Sequence, residues 1–258
     1  MIICADDYGM SQDINEAILD LARLKRISAV SCMAALATLK SENLKPLVEF
    51  GDSIGLGLHL VLTEEPPISA ASEIPSLLNG QRFHRFAQLL ALCFAGQIKS
   101  AEVKKEIKAQ YDAFVEKTQR APDFIDGHLH VQQFPCIREG LLDFVMSLPK
   151  DHRPYIRNAY MPLRKIVHQG ISVAKNYFIS LPAKRFVEML HANGIKTNHG
   201  FSGVYDYRQY QRYGQFLKIF LDHMETETGI LMVHPGTKEA WRLQEYETLR
   251  ESPYVSLK

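Results

Sequence analysis

The chain of 258 residues is predicted to adopt an α/β barrel-like fold with about seven mainly parallel strands. Short apolar runs alternate with longer amphipathic runs along its length, which is the pattern of βαβ units and a mainly parallel sheet. Seven strands fit a complete or slightly open, distorted barrel better than a flat doubly wound sheet. No internal repeat or Gly/Ser-rich linker divides the chain. Residues 1–258 are therefore expected to form a single domain, of a size that α/β barrels routinely reach.

The first part of the chain alternates between the two kinds of run. A helix that begins after Ser11, a good N-cap, is indicated by Ile14, Ile18 and Leu21 at helical spacing. The run at 54–62 is nearly continuous in apolar residues, as expected of a strand covered on both faces. The predicted strands here are 1–5, 29–34 and 54–62, and the predicted helices are 12–26, 42–50, 85–95 and 101–117. A long loop ending near residue 80 is predicted from three prolines in the stretch that follows the third strand.

The second part continues the alternation. The predicted strands are 124–130, 155–157, 194–197 and 229–233, and the predicted helices are 137–147, 184–192, 207–224 and 238–250. The stretch 158–181 is the least regular, and it is interpreted as a loop with one short helix.

Composition and charge exclude several classes of protein. With 30 Lys plus Arg, 29 Asp plus Glu and a net charge of +1, the chain lacks the basic character of a dedicated nucleic-acid binder. Its four cysteines are scattered without a CxxC pair, which favours buried thiols over a zinc knuckle or a disulfide framework. The N-terminus has no basic region of a signal peptide, and the weakly polar stretch 27–39 is too short to span a bilayer. A cytoplasmic protein without a transmembrane segment is expected.

Polar side chains follow five of the predicted strands at the point where each strand ends. They are Asp6 and Asp7, His59, His128 with His130, Asn198 with His199, and His234. The carboxyl ends of parallel barrel strands converge on one rim, which is where the active sites of such folds are built. Carboxylates and imidazoles together are the ligand set of a divalent metal ion. The sequence therefore predicts a metal site on this rim.

The local geometry of two of these groups can be anticipated. Adjacent residues of a regular strand face opposite sides, so Asp6 and Asp7 serve one site only where the strand ends and twists. Gly9 permits such a turn. His128 and His130 are expected to share one face of their strand.

Each of these residues also has an ordinary structural explanation. A single strand histidine such as His59 is more often a core or rim residue than a ligand, and the two aspartates could cap the helix that begins near residue 12. Trp241 with Tyr207 and its neighbouring tyrosines could form a sugar-stacking wall or simply pack between helices. Clustering at strand ends favours a functional interpretation of the acidic and imidazole groups, because independent structural residues need not cluster there. The other five histidines are taken as surface or structural.

Four segments resemble the YdjC-like carbohydrate deacetylase family, which includes chitooligosaccharide deacetylases and hopanoid-associated relatives. They are ADDYGMSQDINEAI at 5–18, GLGLHLVLT at 55–63, PDFIDGHLHVQQFP at 122–135 and MVHPG at 232–236. The segments occur in family order and span nearly the whole chain. The resemblance implies a barrel-like α/β fold and a hydrolase that removes the acetyl group from an N-acetylated sugar or oligosaccharide. It also suggests a homodimer.

The resemblance implies roles for individual residues as well. One divalent metal ion, zinc or magnesium, would be held by Asp7, His59 and His128. Asp6 would act as the general base, and His234 would be the imidazole near the leaving group.

Further residues are expected, through the same resemblance, to support the site or contact the substrate. These are Asp126, His130, Arg157 and Gln132. Gln132 stands where the family commonly has the last histidine of a DxHxHxH pattern, which puts the role of that position in doubt. Tyr8 stands where phenylalanine is usual.

Two alternative functions stay open at this stage. A metal-dependent phosphoesterase on a similar barrel would need a basic clamp, which Arg153, Arg157 and Arg164 could supply. A sugar-binding protein without turnover is favoured only by Gln132. The residues leave open the sugar, its carrier and the choice between zinc and magnesium.

Overall fold

The computed structural model describes residues 1–224, 228–253 and 255. In chain order the strands are β1 (Ile2–Tyr8), β2 (Ala29–Cys32), β3 (Gly55–Leu60), β4 (Leu78–Asn79), β5 (Arg82–Phe83), β6 (Phe124–Gly127), β7 (Tyr155–Ile156), β8 (Gly200–Ser202) and β9 (Gly229–Val233). Seven of them form one parallel sheet in the order β7-β6-β3-β2-β1-β9-β8. The strands β4 and β5 form a small antiparallel hairpin: β4 lies at the end of the stretch predicted as a loop, and β5 follows just beyond it. The α/β class and the number of parallel strands in the main sheet are confirmed.

The two edges of the seven-stranded sheet approach each other. Ile156 of β7 forms a parallel bridge with Thr197, which lies just before β8. The backbone N–H of Asn158 donates to Oδ1 of Asn198 at 2.8 Å, and the Asn198 amide donates to the Asn158 carbonyl at 2.9 Å. These contacts curl the sheet into a distorted barrel, with all strand carboxyl ends on one rim.

Nine helices are found in the described residues, and they connect and cover the strands. They are α1 (Gln12–Arg23), α2 (Ser41–Val48), α3 (Phe86–Phe94), α4 (Ser100–Thr118), α5 (Ile137–Ser147), α6 (Leu163–Gln169), α7 (Val173–Ala192), α8 (Tyr213–Asp222) and α9 (Ala240–Glu251). None of these helices is both long and apolar enough to cross a bilayer.

The core lies at the centre of the sheet. In β9 every residue is buried, and in β1 and β3 every residue after the first is buried. Leu58 and Leu231 are fully buried, and each such side chain stabilises the fold by about 1.5–3 kcal/mol. The nearly continuous apolar runs of the sequence therefore correspond to strands covered on both faces.

Two predictions in the second half of the chain are wrong. The stretch 158–181 was expected to be a loop with one short helix, but it contains all of α6 and the N-terminal part of α7. The outer side of α7 carries exposed apolar side chains, which obscured the amphipathic stripe by which a helix is predicted. The predicted strand 194–197 is absent, and the strand of this region is β8, three residues further on.

Two element boundaries also differ from the predictions. The strand predicted over 124–130 ends at Gly127, and a 3-10 helix, His128–Gln133, replaces its second half. A Cβ atom at position 127 would lie 2.9 Å from Oε1 of Gln132, which is too close. The glycine at this position therefore allows the strand to be followed directly by the 3-10 helix. The helix predicted over 207–224 begins as a 3-10 helix, Tyr207–Arg212, and continues as α8.

Candidate metal centre and active site

A cavity of about 290 Å³ opens at the carboxyl ends of the central strands. All five residues predicted as metal ligands or catalytic groups line it, namely Asp6, Asp7, His59, His128 and His234. They come from β1, from β3 and from the residues that directly follow β6 and β9. The fold therefore brings together groups that are far apart in the sequence, as the strand ends predict.

Asp7, His59 and His128 present one ligand atom each within 4.8 Å of one another. Oδ1 of Asp7 lies 3.4 Å from Nε2 of His59 and 3.1 Å from Nδ1 of His128. Two ligands bound at about 2.1 Å in a tetrahedral site lie about 3.4 Å apart. Two imidazoles and one carboxylate at these separations fit a single divalent ion, with coordination positions left for water or substrate.

A local irregularity turns two adjacent carboxylates toward the same cavity. Asp7 has a φ of 70°, and the pairing of β1 with β2 shifts register between Ala5 and Tyr8. Such a bulge re-aims a side chain that a regular strand would point to the opposite face. Neither Asp6 nor Asp7 caps α1, because Ser11 occupies the N-cap position.

The carboxylate of Asp126 orients His59 from behind. Nδ1 of His59 lies 2.7 Å from Oδ1 of Asp126, and the Ser31 hydroxyl donates to the same oxygen at 2.5 Å. This contact leaves Nε2 of His59 to face Asp7. Burial alone would lower the pKa of His59, but Asp126 and the two neighbouring aspartates raise it to about 10. An ion that binds Nε2 therefore displaces a proton.

Asp6 is held by a fully buried guanidinium. Arg157 donates to Oδ1 of Asp6 at 2.7 Å and to Oδ2 at 2.6 Å, and it also lies 3.0 Å from Asp126. Burial alone would raise the pKa of Asp6, but Arg157 and the nearby histidines lower it to about 2. Asp6 is therefore a carboxylate at neutral pH, and it is fixed in orientation.

Arg242 holds the second oxygen of the Asp7 carboxylate. Oδ2 of Asp7 accepts from Arg242 at 2.7 Å, and Arg242 in turn is 2.7 Å from Glu239. This leaves Oδ1 of Asp7 as the oxygen that faces both imidazoles.

Two further imidazoles in the cavity wall are neutral. Burial lowers the pKa of His234 to about 4, and burial with the nearby Arg157 lowers that of His130 to about 3. The Nδ1 atoms of both rings are buried and have no hydrogen-bond partner in the part of the chain that the structure describes. Both rings line the cavity as uncharged groups.

Glu245 on α9 fixes the backbone at the end of β9. The backbone N–H of His234 donates to Oε2 of Glu245 at 2.5 Å, and the Tyr205 hydroxyl donates to Oε1 at 2.9 Å. Burial raises the pKa of Glu245 to about 7. The position of His234 in the cavity therefore depends on a buried carboxyl group 11 residues later in the chain.

Tyr207 and Trp241 line the cavity as a stacked pair. Their rings stack with centroids 4.0 Å apart, Nζ of Lys175 lies 4.3 Å from the Tyr207 centroid, and Arg242 lies 4.4 Å from that of Trp241. Both faces of the ring pair are occupied, by each other and by the two cations. The aromatic pair is therefore a rigid wall, and it offers no open face for stacking on a sugar.

The structure places the four predicted substrate contacts at different depths. His130 lines the cavity, whereas Asp126, Arg157 and Gln132 lie behind its wall. Gln132 is fully buried, and its amide donates to the Arg157 carbonyl at 3.1 Å. These three side chains therefore support the cavity-lining residues.

Other polar residues that the sequence suggested lie elsewhere. His199 is not at the cavity: it is exposed, and its Nδ1 lies 2.8 Å from the Thr228 hydroxyl. Arg157 is engaged with aspartates, and Arg153 donates to the Leu148 carbonyl at 3.2 Å. Neither Arg153 nor Arg164 lines the cavity, so the basic clamp of a phosphoesterase is not formed by these arginines.

Sequence reasoning missed three residues that hold the site. Ser31 could have been noticed as a polar residue within an apolar strand. Arg242 and Glu245 carried no signal, because charged residues on a helix after the last strand are usually solvated.

Comparisons with known proteins extend these observations. The sequence model of the YdjC-like protein family matches residues 1–256. A carbohydrate deacetylase of Danio rerio is 29% identical over 208 residues, which cover 79% of this chain and 64% of that protein. A carbohydrate deacetylase of Brevibacillus brevis is 29% identical over 162 residues, which cover 62% of this chain and 60% of that protein. The matched part is thus less than two thirds of either relative.

A solved structure shares the fold. The chain superposes with a TM-score of 0.70 on a protein from Enterococcus faecalis V583 that was proposed to cleave cellobiose phosphate. The match covers 97% of this chain and 90% of the other at 20% sequence identity.

Proposed function

Because this chain belongs to the YdjC-like protein family, we propose that it is a metal-dependent hydrolase that removes the acetyl group from an N-acetylated sugar or oligosaccharide. The observation that carries the proposal is the convergence of Asp6, Asp7, His59, His128 and His234 in one cavity. The names of the relatives from Danio rerio and Brevibacillus brevis support the carbohydrate substrate. We propose that residues 1–258 act as one catalytic domain.

Asp7, His59 and His128 would hold one divalent ion, zinc or magnesium. When bound, such an ion acidifies a water molecule and polarises the amide carbonyl. The protein's own contribution is to fix the three ligands: Asp126 fixes the ring of His59, and Arg242 fixes the carboxylate of Asp7.

Asp6 is proposed to hold the attacking water and to take its proton. Arg157 keeps both carboxylate oxygens in place and keeps the group ionised, so Asp6 accepts a hydrogen bond at neutral pH. A carboxylate with a pKa of about 2 is a weak base, which means that it accepts a proton only from a water that is already acidified.

His234 is proposed to deliver a proton to the amine nitrogen that leaves. Because its ring is neutral in the free protein, this proton comes from the attacking water, by way of Asp6, and is not stored on the ring beforehand. His130 is proposed to hydrogen-bond the substrate, and the apolar side chains of Val204 and Met232 in the cavity wall would contact the acetyl methyl group.

The test measures acetate release and bound metal on the same samples, with an N-acetylated disaccharide as substrate and with zinc or magnesium restored after chelation. His59→Ala should lose metal and activity together, whereas Asp6→Asn should keep metal and lose turnover. His152→Ala, an exposed histidine away from the cavity, is the matched control and should behave as wild type.

Other outcomes would change the proposal. Release of phosphate from a sugar phosphate in place of acetate would make the protein a phosphoesterase. Bound metal and sugar without any acetate release would make it a sugar-binding protein. A wild-type rate for Asp6→Asn would remove the base from the mechanism.

A further inference from the structure

The helices α6 and α7 expose an unusual number of large apolar side chains. Six of the twelve exposed large hydrophobic residues in the described ranges lie on them: Leu163, Val167, Val173, Tyr177, Phe178 and Leu181. Val167 and Leu181 are each 60% exposed. We call this surface the α6–α7 face.

The apolar residues of α7 share one side of the helix. Val173, Tyr177 and Leu181 recur at intervals of four residues, so they lie one above the other. The opposite side is buried against the rest of the protein through Asn176, Ser180, Ala183, Phe186 and Leu190. The outer side is therefore an exposed apolar stripe on a helix that the fold already anchors.

The same two helices are strongly basic. They carry Arg164, Lys165, Lys175, Lys184 and Arg185, and their only acidic residue is Glu188. Five cations and one carboxylate give these helices a net charge of +4. Lys184 and Arg185 follow Leu181 by three and four residues, which places them on the same side of α7.

The α6–α7 face is continuous with the rim of the cavity. Lys175, Phe178 and Ile179 of α7 line the cavity, and Leu129, which is 43% exposed, lines it from the other side. A surface that the α6–α7 face touches would therefore lie next to the opening of the catalytic cavity.

We infer that the α6–α7 face docks on the surface of an anionic lipid bilayer and brings the opening of the cavity to the membrane. Exposed apolar side chains flanked by lysine and arginine are the combination by which helices bind in the plane of a bilayer surface. Anionic lipids attract each Lys or Arg near the surface, and the apolar side chains enter the boundary of the acyl chains.

The charge of the face argues against a second copy of this chain as its partner. In a two-fold symmetric contact the same surface meets itself, so Arg164 and Lys184 of one copy would be brought toward the same cations of the other. Like charges placed opposite each other oppose such a contact. An anionic bilayer complements the charge as well as the apolar stripe.

The experiment is vesicle sedimentation of the full chain with phosphatidylcholine vesicles and with vesicles that also contain phosphatidylglycerol. Wild type should bind the anionic vesicles, bind neutral vesicles much more weakly, and be released by salt. Lys184→Glu/Arg185→Glu should lower the partition coefficient by at least about tenfold, because about 1 kcal/mol is lost for each cation removed. Val167→Ser/Leu181→Ser should lower it on both kinds of vesicle.

The control is Leu24→Ser, an exposed leucine at the end of α1, which should bind as wild type. Acetate release from a soluble disaccharide reports correct folding of each variant, and vesicle binding does not depend on that activity. Equal binding to neutral and anionic vesicles, or no binding, would overturn the inference. Concentration-dependent dimers in light scattering that Val167→Ser/Leu181→Ser abolishes would also overturn it, and would assign the face to a second copy.

Discussion

Replacing Arg157 with methionine leaves two buried carboxylates without their cation. Arg157 is 1% exposed and is bonded to both oxygens of Asp6, and it also lies 3.0 Å from Asp126, which is fully buried. Methionine fills a similar volume and is apolar, so the substitution removes the charge and the hydrogen bonds while it preserves most of the packing.

The expected loss of stability follows from this burial. Removing one partner of a buried ion pair typically costs about 3–5 kcal/mol, because the remaining charge is left uncompensated. We expect Arg157→Met to lower the free energy of unfolding by about 4 kcal/mol in metal-free protein at neutral pH. The double variant Arg157→Met/Asp6→Asn no longer carries the charge of Asp6. Its loss of unfolding free energy should therefore be smaller than that of Arg157→Met by about 1–3 kcal/mol.

Urea unfolding followed by circular dichroism measures these changes, provided that the slope with denaturant concentration is the same for all variants. Arg153→Met is the matched control, since Arg153 is partly exposed and donates to backbone carbonyls. It should cost less than about 1 kcal/mol. If Arg157→Met costs no more than this control, then the buried ion pairs do not stabilise the barrel, and our account of Asp6 fails.

Three further perturbations test other parts of the site. Burial raises the pKa of Glu245 to about 7, so the contribution of this group to stability is complete below about pH 4.5 and is lost as the pH rises through 7. Glu245→Gln should therefore reduce the change in unfolding free energy between pH 4.5 and pH 8 by about 2–3 kcal/mol, as measured by urea unfolding at both values. Ser31→Ala removes a hydrogen bond to Asp126 and should weaken metal binding by about 10–100-fold in a chelator competition, whereas unchanged affinity would exclude a role in orienting His59. Gly203→Ala places a methyl group 2.1 Å from the Met232 carbonyl oxygen at a φ of +107° and should cost more than about 2 kcal/mol in thermal unfolding; a neutral effect would mean that this turn relaxes.

Most of the barrel could be predicted because its strands are short apolar runs separated by amphipathic helices. β9 and α5 have the predicted boundaries. The segment of α6 and α7 could not be predicted, because the apolar side chains on its outer side remove the contrast between a buried and an exposed face. Pro182 lies inside α7, although a proline within a helical pattern usually indicates a break.

The groups of the candidate site could be located because parallel strands deliver their carboxyl ends to one rim. The same reasoning failed for His199, because the strand expected before it does not form and the real strand begins after it. The residues that hold the site in place were beyond this reasoning. Arg242 bonds to Asp7 across 235 positions of the chain, and no local pattern encodes such a contact.

The sequence by itself determined the class of fold, the rim and the kinds of groups on it, because these follow from hydrophobic periodicity and from the direction of parallel strands. Only the tertiary structure decided which side chains surround each of the adjacent carboxylates Asp6 and Asp7. A bulge turns Asp7 toward two imidazoles and Arg242, and burial beside Arg157 keeps Asp6 ionised. Three of the side chains that set these environments, His128, Arg157 and Arg242, are more than 100 residues away and meet the aspartates only when the sheet curls into a barrel.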